Sequence, residues 1–473
     1  MGKLLEKCKK IYNMDVPLKT EWGIAIFIGL LMLSMFCYID GEALTVWTTN
    51  IWDCIANGDI TNYYEYTAQN IYDISFQYVS GTLWSLIPWA IWNLPIWAIQ
   101  YFAGITIANN PLLMLWSLLF LVACSVIMFI YTYKTCNLLF EDKKLTKWIV
   151  YLSTTSVFTY LSTFYAGQNN IMICMLGTIA LYYLFKKKNI WFYVFSAMAI
   201  SVKYFFIIPF IPVILLTEKK IWKIFVKVLG CISPIFIFKM LVHNFPMYAI
   251  SEASNKSSSL FNGFFESSIM ATDGFKVSFF IVAYLILCFV AYITDTKNEK
   301  LKYNYIMYFT ASSLMIYFMF STDYSFHRPI LLIPFLLMLY GFKPEIFRIN
   351  VILDTVMSIS MLMLHAFRTN HLLWSKRSMN NTIITETFNL TNINNFSFRA
   401  LLKEVLGDNF IYGKMLMASI VFVSFILLII INHPKFKFKT DIIEKTEKPE
   451  RYLIWLRGFI LIPILMFLII YIY

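Results

Sequence analysis

Runs of about twenty mostly apolar residues recur along nearly the whole chain, and no polar segment between them could fold as a separate soluble domain. A helix of about that length crosses the roughly 30 Å hydrocarbon core of a bilayer. Only 14% of the residues are charged, against roughly a quarter in soluble proteins. The pattern predicts an all-α, polytopic integral membrane protein.

We predict about eleven transmembrane helices together with two short re-entrant or interfacial hairpins. One hairpin is expected at 81–105, which two prolines and four tryptophans interrupt. The other is expected at 190–216, broken near Lys203 and Pro209, because this run is too long for one span and too short for two. The spans are predicted at 22–39, 112–133, 148–166, 169–185, 222–243, 277–295, 304–321, 329–342, 349–367, 412–432 and 454–473.

The basic residues predict the orientation of the chain in the cell membrane. Most of the 39 Lys and Arg residues lie in the N-terminus and in alternate loops, which the positive-inside rule assigns to the cytoplasm. The net charge of +12 is therefore a topology signal, and no nucleic-acid partner is predicted. The predicted regions are a cytoplasmic N-terminus (1–21), a first transmembrane helix (22–39), an extracytoplasmic catalytic loop (40–80), a transmembrane core with re-entrant segments (81–366), an extracytoplasmic loop (367–411), and C-terminal transmembrane helices with a cytoplasmic basic loop (412–473).

Carboxylates gather just after the first predicted span, in "YIDGEALTVW". Asp40 and Glu42 form an acid–x–acid pair, and Asp53 and Tyr64 follow in the same loop. A carboxylate at a membrane exit can act as a general base towards a hydroxyl group, or can hold a divalent cation such as Mg²⁺ or Mn²⁺. The alternative is that Asp40 ends a helix and faces water. The residues alone leave both readings open.

A lysine within an apolar run marks a second candidate site. Lys203 follows the Ala-rich stretch "SAMAISVKYFF", and Gln168 and Asn170 open an earlier span. A buried lysine costs several kcal/mol unless it is paired or hydrated, so it favours a functional interpretation. An anionic phosphate would satisfy Lys203; snorkelling to the interface or pairing with an acid is the alternative.

A third candidate lies in the turn "STDYSFHRPILLIPF". Arg328 presents a planar fork of donors that suits phosphate, and His327 beside it can add a hydrogen bond. The alternative is an interfacial anchor turn, with Pro329 beginning the next span.

These segments resemble the polyprenyl-phosphate-dependent glycosyltransferases of the C-type fold, in particular a bacterial family related to mannosyltransferases. The matching positions are Gly167, Gln168, Asn170, Lys203 and Pro209, and Asp40 agrees with that fold's acid in the first external loop. "NGDITNYYEY" and "WAIWNLPIW" resemble its Gly-then-Tyr and Leu-Pro segments. The likeness covers 25–216, and the chain departs from it in having Asp-Gly-Glu where relatives have Asp-x-Asp or one Asp.

The resemblance implies an integral-membrane hexosyltransferase whose sugar donor is linked to a polyprenyl phosphate. Asp40 and Glu42 would be catalytic, while Lys203, Arg328 and His327 would bind the donor phosphate. Gln168, Asn170, Asp53 and Tyr64 would contact substrate. The acceptor would be a cell-envelope glycan or glycolipid on the extracytoplasmic face, and a single displacement would invert the anomeric carbon. The alternatives are an envelope polysaccharide polymerase, a flippase or a secondary transporter.

Overall fold

The computed structural model describes residues 16–35, 39–70, 79, 83–105, 111–165, 167–256, 267–272, 275–320, 328–368, 398–437 and 451–460. Most of these residues are helical. The helices are α1 (Lys19–Met35), α2 (Ile39–Ala56), α3 (Tyr63–Gln69), α4 (Leu83–Ala103), α5 (Pro111–Leu139), α6 (Lys143–Thr154), α7 (Val157–Tyr160), α8 (Asn170–Phe185), α9 (Asn189–Val202), α10 (Ile207–Thr217), α11 (Ile221–Val242), α12 (Tyr248–Lys256), α13 (Phe279–Ile293), α14 (Glu299–Phe320), α15 (Ile333–Tyr340), α16 (Phe347–Arg368), α17 (Phe398–Leu406), α18 (Phe410–Ile431) and α19 (Arg451–Phe459). A π-helical turn (Leu161–Tyr165) follows α7, and 3₁₀ turns cover Ile60–Asn62, Tyr204–Phe206, Arg328–Leu331, Pro344–Ile346 and Gly407–Asn409.

Within the described ranges the chain is helical, as predicted, except for one small hairpin. Strand β1 (Ser268–Thr272) pairs antiparallel with β2 (Phe275–Ser278), which leads directly into α13. Of the predicted long loop 367–411, residues 369–397 lie outside the described part of the chain, and α17 occupies its end.

Four helices in the described part of the chain are long and apolar enough to cross a membrane: Leu112–Leu139, Ile221–Val242, Pro344–Phe367 and Arg399–Ile431. They coincide with four of the predicted spans. The predicted number of eleven is not confirmed: several apolar segments in the described part of the chain are short or broken, and residues 461–473 of the last predicted span lie outside it. Helix α15 has 8 residues and rises only about 12 Å. The predicted span 148–166 is interrupted after Thr154 and ends in the π-helical turn.

The predicted loop 40–80 is not an open loop. Its first part is α2, an 18-residue helix that packs on α4 and α5. The polar residues that suggest exposure are buried and bonded to one another: Asn93 Nδ2 donates to Thr48 Oγ1 and to Ser117 Oγ, both at 2.9 Å, and Thr45 Oγ1 donates to Ser117 Oγ at 2.7 Å. Because these partners satisfy its polar side chains, α2 lies inside the helical body.

The predicted hairpin at 81–105 is wrong, because α4 runs unbroken from Leu83 to Ala103 with Pro88 and Pro95 inside it. The two prolines are seven residues apart and therefore lie on nearly the same face of the helix. That face is only partly covered, whereas Trp89 and Asn93 on the opposite face are buried. Each proline removes one backbone hydrogen bond, and the packing of the buried face maintains the helix across both sites.

The predicted break near Lys203 is confirmed. Helix α9 ends at Val202, Lys203 is extended, and a 3₁₀ turn leads into α10. The two arms fold back towards each other, since the rings of Phe192 and Phe210 lie 5.8 Å apart. Pro209 does not cause the break. It occupies the first turn of α10, where a missing N–H costs little.

Buried charged side chains tie several helices together. Lys343 is buried and donates to the carbonyl oxygens of Ile431 at 2.9 Å and Phe436 at 2.8 Å, so it caps the C-terminus of α18. Two buried ion pairs fasten α19. Arg457 Nε lies 2.6 Å from Asp354 Oδ2 on α16, and Arg451 Nε lies 2.7 Å from Glu21 Oε1 on α1.

Candidate functional site

The first turn of α2 lies in close backbone contact with the segment before α8. Gly167 has a left-handed backbone, φ 59°, and a Cβ added to it would lie 2.9 Å from both Cα and N of Gly41. Neither position has room for a side chain without displacement of its neighbour. The contact places the acid-bearing turn of α2 beside the Gly-Gln-x-Asn segment, although 125 residues separate them in sequence.

The N-terminus of α8 meets the break after α9. Lys203 Nζ donates to Asn170 Oδ1 at 3.3 Å, and Asn170 Nδ2 donates to Gln168 Oε1 at 3.4 Å. Because α8 and α9 form an antiparallel pair, the start of one helix lies beside the end of the other. Lys203 is partly buried and Asn170 is fully buried. Three predicted site residues therefore form one hydrogen-bonded chain.

Arg328 lies against the same break. Its guanidinium group is 5.3 Å from the centre of the Phe205 ring, two residues after Lys203. The 3₁₀ turn that Arg328 begins is fastened to α8, since Cys174 Sγ donates to the carbonyl oxygen of Ile330 at 3.1 Å. Two cationic side chains and the positive end of the α8 dipole thus converge on one region, an arrangement that favours an anion.

Glu42 follows Gly41 in the first turn of α2. Its side chain is partly buried, and burial raises its pKa above the ordinary value for glutamate. A carboxylate with a raised pKa is a stronger base, which suits a group that takes a proton from a hydroxyl. Asp40 belongs to the same helical turn, but its side chain lies outside the described part of the structure.

Asp53 lies away from this cluster, and Tyr64 packs on α12. Asp53 is twelve residues after Gly41 on α2, about 18 Å along the axis. Its Oδ1 accepts from Trp97 Nε1 at 2.8 Å and its Oδ2 from Tyr66 at 3.4 Å, so it ties α2 to α3 and α4. Burial raises its pKa, and these two bonds oppose the rise. Tyr64 is buried, and its ring lies 5.2 Å from that of Tyr248.

Two predictions at the site stay untested. His327 lies outside the described residues. Within the described residues no three side chains of His, Cys, Asp or Glu lie close enough together to hold a metal ion, and the side chain of Asp40 is not among those searched. The prediction of a divalent cation at Asp40 and Glu42 is therefore left as it was.

Sequence reasoning did not single out two residues of this site. Gly41 was read only as the spacer between two acids, and its contact with Gly167 depends on the tertiary fold. Asn169 precedes α8, and its Oδ1 atom is buried with no hydrogen-bond partner among the described residues. A buried acceptor of this kind costs about 1–3 kcal/mol until a donor reaches it, so Asn169 is a candidate contact for a substrate hydroxyl.

Comparisons with known proteins return no relative. No family model matches the chain, and no curated protein and no solved structure shows a significant match to it.

Proposed function

We propose that the chain is an integral-membrane glycosyltransferase that moves a sugar from a polyprenyl-phosphate donor to a glycan or glycolipid acceptor. One observation carries the proposal. The contact between Gly41 and Gly167 puts the first turn of α2, which carries Asp40 and Glu42 in sequence, against the segment that leads to Asn170, the partner of Lys203. A base and a cation on adjoining segments are the two groups that displacement of a phosphate leaving group requires.

The reaction is a single displacement at the anomeric carbon of the sugar. Asp40, assisted by Glu42, takes the proton of the acceptor hydroxyl, and the hydroxyl oxygen forms the new bond to the anomeric carbon. The bond from that carbon to the phosphate oxygen breaks, and the polyprenyl phosphate leaves with the electron pair. Lys203 and Arg328 stabilise the negative charge that grows on the phosphate. Attack opposite the leaving group inverts the configuration of the anomeric carbon.

The remaining groups position the substrates. Gln168 and Asn170 hold Lys203 towards the phosphate, and Asn169 accepts a hydrogen bond from a sugar hydroxyl. His327 adds a donor beside Arg328. A Mg²⁺ or Mn²⁺ ion, if bound, would be held by Asp40 and Glu42 and would supply positive charge towards the leaving phosphate.

The proposed location is the cell membrane, with the N-terminus in the cytoplasm and the site on the extracytoplasmic face. The distribution of basic residues supports this orientation. The lipid-linked donor then reaches the site from the outer leaflet, and the bilayer itself is the third partner. Undecaprenyl phosphate is the donor lipid that the resemblance to bacterial transferases suggests.

The test is sugar transfer in membranes from cells that express the protein at matched levels. A mixed pool of radiolabelled polyprenyl-phosphate sugars is supplied, and label is followed into glycolipid and polysaccharide. Asp40→Asn and Lys203→Met are each expected to lower transfer by about 10²- to 10⁴-fold, the range for loss of a general base or of one electrostatic stabiliser. Glu65→Gln and Lys300→Met are matched controls, since both residues lie away from the cluster.

Two results contradict the proposal. If the unmodified protein transfers no sugar from any donor, the transferase assignment fails and the flippase or transporter alternative replaces it. If transfer occurs but Asp40→Asn and Lys203→Met retain full rate, the reaction stands and this cluster is not its site.

A further inference from the structure

Helix α8 is mostly buried between α5 and α9, and we call the surface over α8 between the exposed residues of these two helices the furrow. Helix α8 packs against α5 on one side and α9 on the other. Its walls are apolar and exposed: Val126 and Ile130 form a stripe on α5, and Trp191 and Val194 form another on α9. The residues in each stripe are three or four positions apart, so each stripe lies on one helix face.

Aromatic rings cross the furrow at one end. Tyr131 of α5 lies 5.3 Å from Tyr182 of α8, and Tyr182 lies 5.4 Å from Tyr183. Tyr183 stacks on Phe195 of α9 at 5.5 Å and lies 6.0 Å from Trp191. A band of Tyr and Trp at one level of apolar helices is typical of the interface between hydrocarbon and headgroups.

Two lysines lie on this aromatic band. Lys134 Nζ is 4.8 Å from the centre of the Tyr131 ring, and Lys186 Nζ is 4.9 Å from that of Tyr182. Because the centres of the two rings are 5.3 Å apart, both ammonium groups lie at the same end of the furrow. Both side chains are exposed, and neither forms an ion pair within the described part of the chain. The adjacent Lys187 is already paired, with Glu299 at 2.7 Å.

Lys134 lies in line with the apolar stripe on α5. Val126, Ile130 and Lys134 are spaced by four residues, so the apolar stripe on α5 leads directly to the ammonium group. A molecule with two acyl chains and one phosphate fits this arrangement, because its chains can lie against the two apolar stripes while its phosphate lies at the lysines.

We infer that the furrow is a binding site for one anionic phospholipid, with its phosphate at Lys134 and Lys186 and its acyl chains along α5 and α9. The site is separate from the proposed sugar-transfer site. Lys186 follows the C-terminus of α8, whereas Asn170 and Lys203 lie at its N-terminus, about 24 Å away along a helix of 16 residues. The inference therefore does not depend on the transferase proposal.

The test is titration of the detergent-solubilised full chain with phosphatidylglycerol or phosphatidylcholine, with bound lipid counted by native mass spectrometry. The unmodified protein is expected to retain one phosphatidylglycerol in preference to phosphatidylcholine. A lysine near a lipid phosphate contributes about fivefold in affinity, so Lys134→Gln with Lys186→Gln is expected to weaken phosphatidylglycerol binding roughly thirtyfold. Raising the salt concentration is expected to weaken binding to the unmodified protein.

The matched control is Lys297→Gln with Lys300→Gln, which removes the same charge from the turn before and the first turn of α14. The control is expected to bind phosphatidylglycerol as the unmodified protein does. Lys134→Arg with Lys186→Arg keeps the charge and is expected to keep binding. Equal retention of the two lipids overturns the inference. So does an equal loss in the control and site variants, which indicates a diffuse basic surface.

Discussion

The contact between Gly41 and Gly167 predicts a specific intolerance of Gly167→Ala. Alanine at a left-handed position costs about 1–2 kcal/mol by itself. Its Cβ would also lie 2.9 Å from two backbone atoms of Gly41, well inside the ordinary contact distance of about 3.5–4.0 Å. Overpacking of this kind costs about 1–3 kcal/mol more, so the total expected loss is about 2–5 kcal/mol.

Alanine substitutions at two other glycines separate the cost of backbone strain from the cost of overpacking. Gly58 has φ 70° with nothing within 4 Å of an added Cβ, so Gly58→Ala incurs only the backbone strain. Gly41→Ala keeps a helical backbone, and its Cβ would meet Leu118 Cδ2 at 2.7 Å, a flexible side-chain end that can turn away. The expected order of stability is unmodified protein, Gly41→Ala, Gly58→Ala, then Gly167→Ala.

Buried cysteines provide the assay. Among the described residues Cys54, Cys124, Cys136, Cys174, Cys231 and Cys288 are all buried and free. A fluorogenic maleimide therefore reports unfolding of the purified protein on heating, since thiols react only when exposed. If Gly167→Ala unfolds no earlier than Gly58→Ala, the close approach is not a constraint, and the reasoning that joins α2 to the α8 segment is refuted.

Three further outcomes follow from charged groups. Arg457→Met leaves buried Asp354 without its partner and is expected to lower the free energy of unfolding by about 3–5 kcal/mol. Adding Asp354→Leu to this variant is expected to restore much of the lost stability. A double-mutant cycle on thermal unfolding checks both expectations. Lys343→Met removes the cap of α18 and is expected to lower stability by about 1–3 kcal/mol in the same assay. Burial raises the pKa of Glu42, so the folded state binds the proton of this carboxyl group more tightly than the unfolded state does. The protein therefore loses stability as the pH rises from the pKa of Glu42 in the unfolded chain through its higher pKa in the folded protein. Glu42→Gln is expected to be at least as stable as the unmodified protein at pH 7 in the same unfolding assay, and a less stable Glu42→Gln contradicts this sign.

Long apolar runs made several helices predictable from sequence. The predicted spans 222–243 and 412–432 match α11 and α18 to within two residues. The length of the apolar run is sufficient to predict a helix there, because a segment in hydrocarbon must form its backbone hydrogen bonds within itself. The break at Lys203 was also predictable, since a lysine between two apolar arms, followed by prolines, does not suit one continuous span.

Errors arose where tertiary partners override a local signal. The prolines of α4 indicate a hairpin, yet packing of Trp89 and Asn93 maintains one helix. Thr45, Thr48 and Asn50 of α2 suggest exposure, yet they are buried, and Thr48 and Thr45 bond to side chains on α4 and α5. In both cases the packing partners lie in other segments of the chain, so the local sequence does not reveal them.

In the candidate site, too, contacts between segments close in sequence were predictable, and contacts that depend on the tertiary fold were not. The contact between Asn170 and Lys203 follows from two antiparallel helices joined by a short turn, so proximity was implied by the sequence. The approach of Gly41 to Gly167 was not, because it depends on α2 being a buried helix rather than a loop. That approach needs a residue without a side chain at position 167. A methyl group there would push the acid-bearing turn of α2 away from the segment that leads to Asn170, so Gly167 determines whether the two halves of the proposed chemistry can share one substrate.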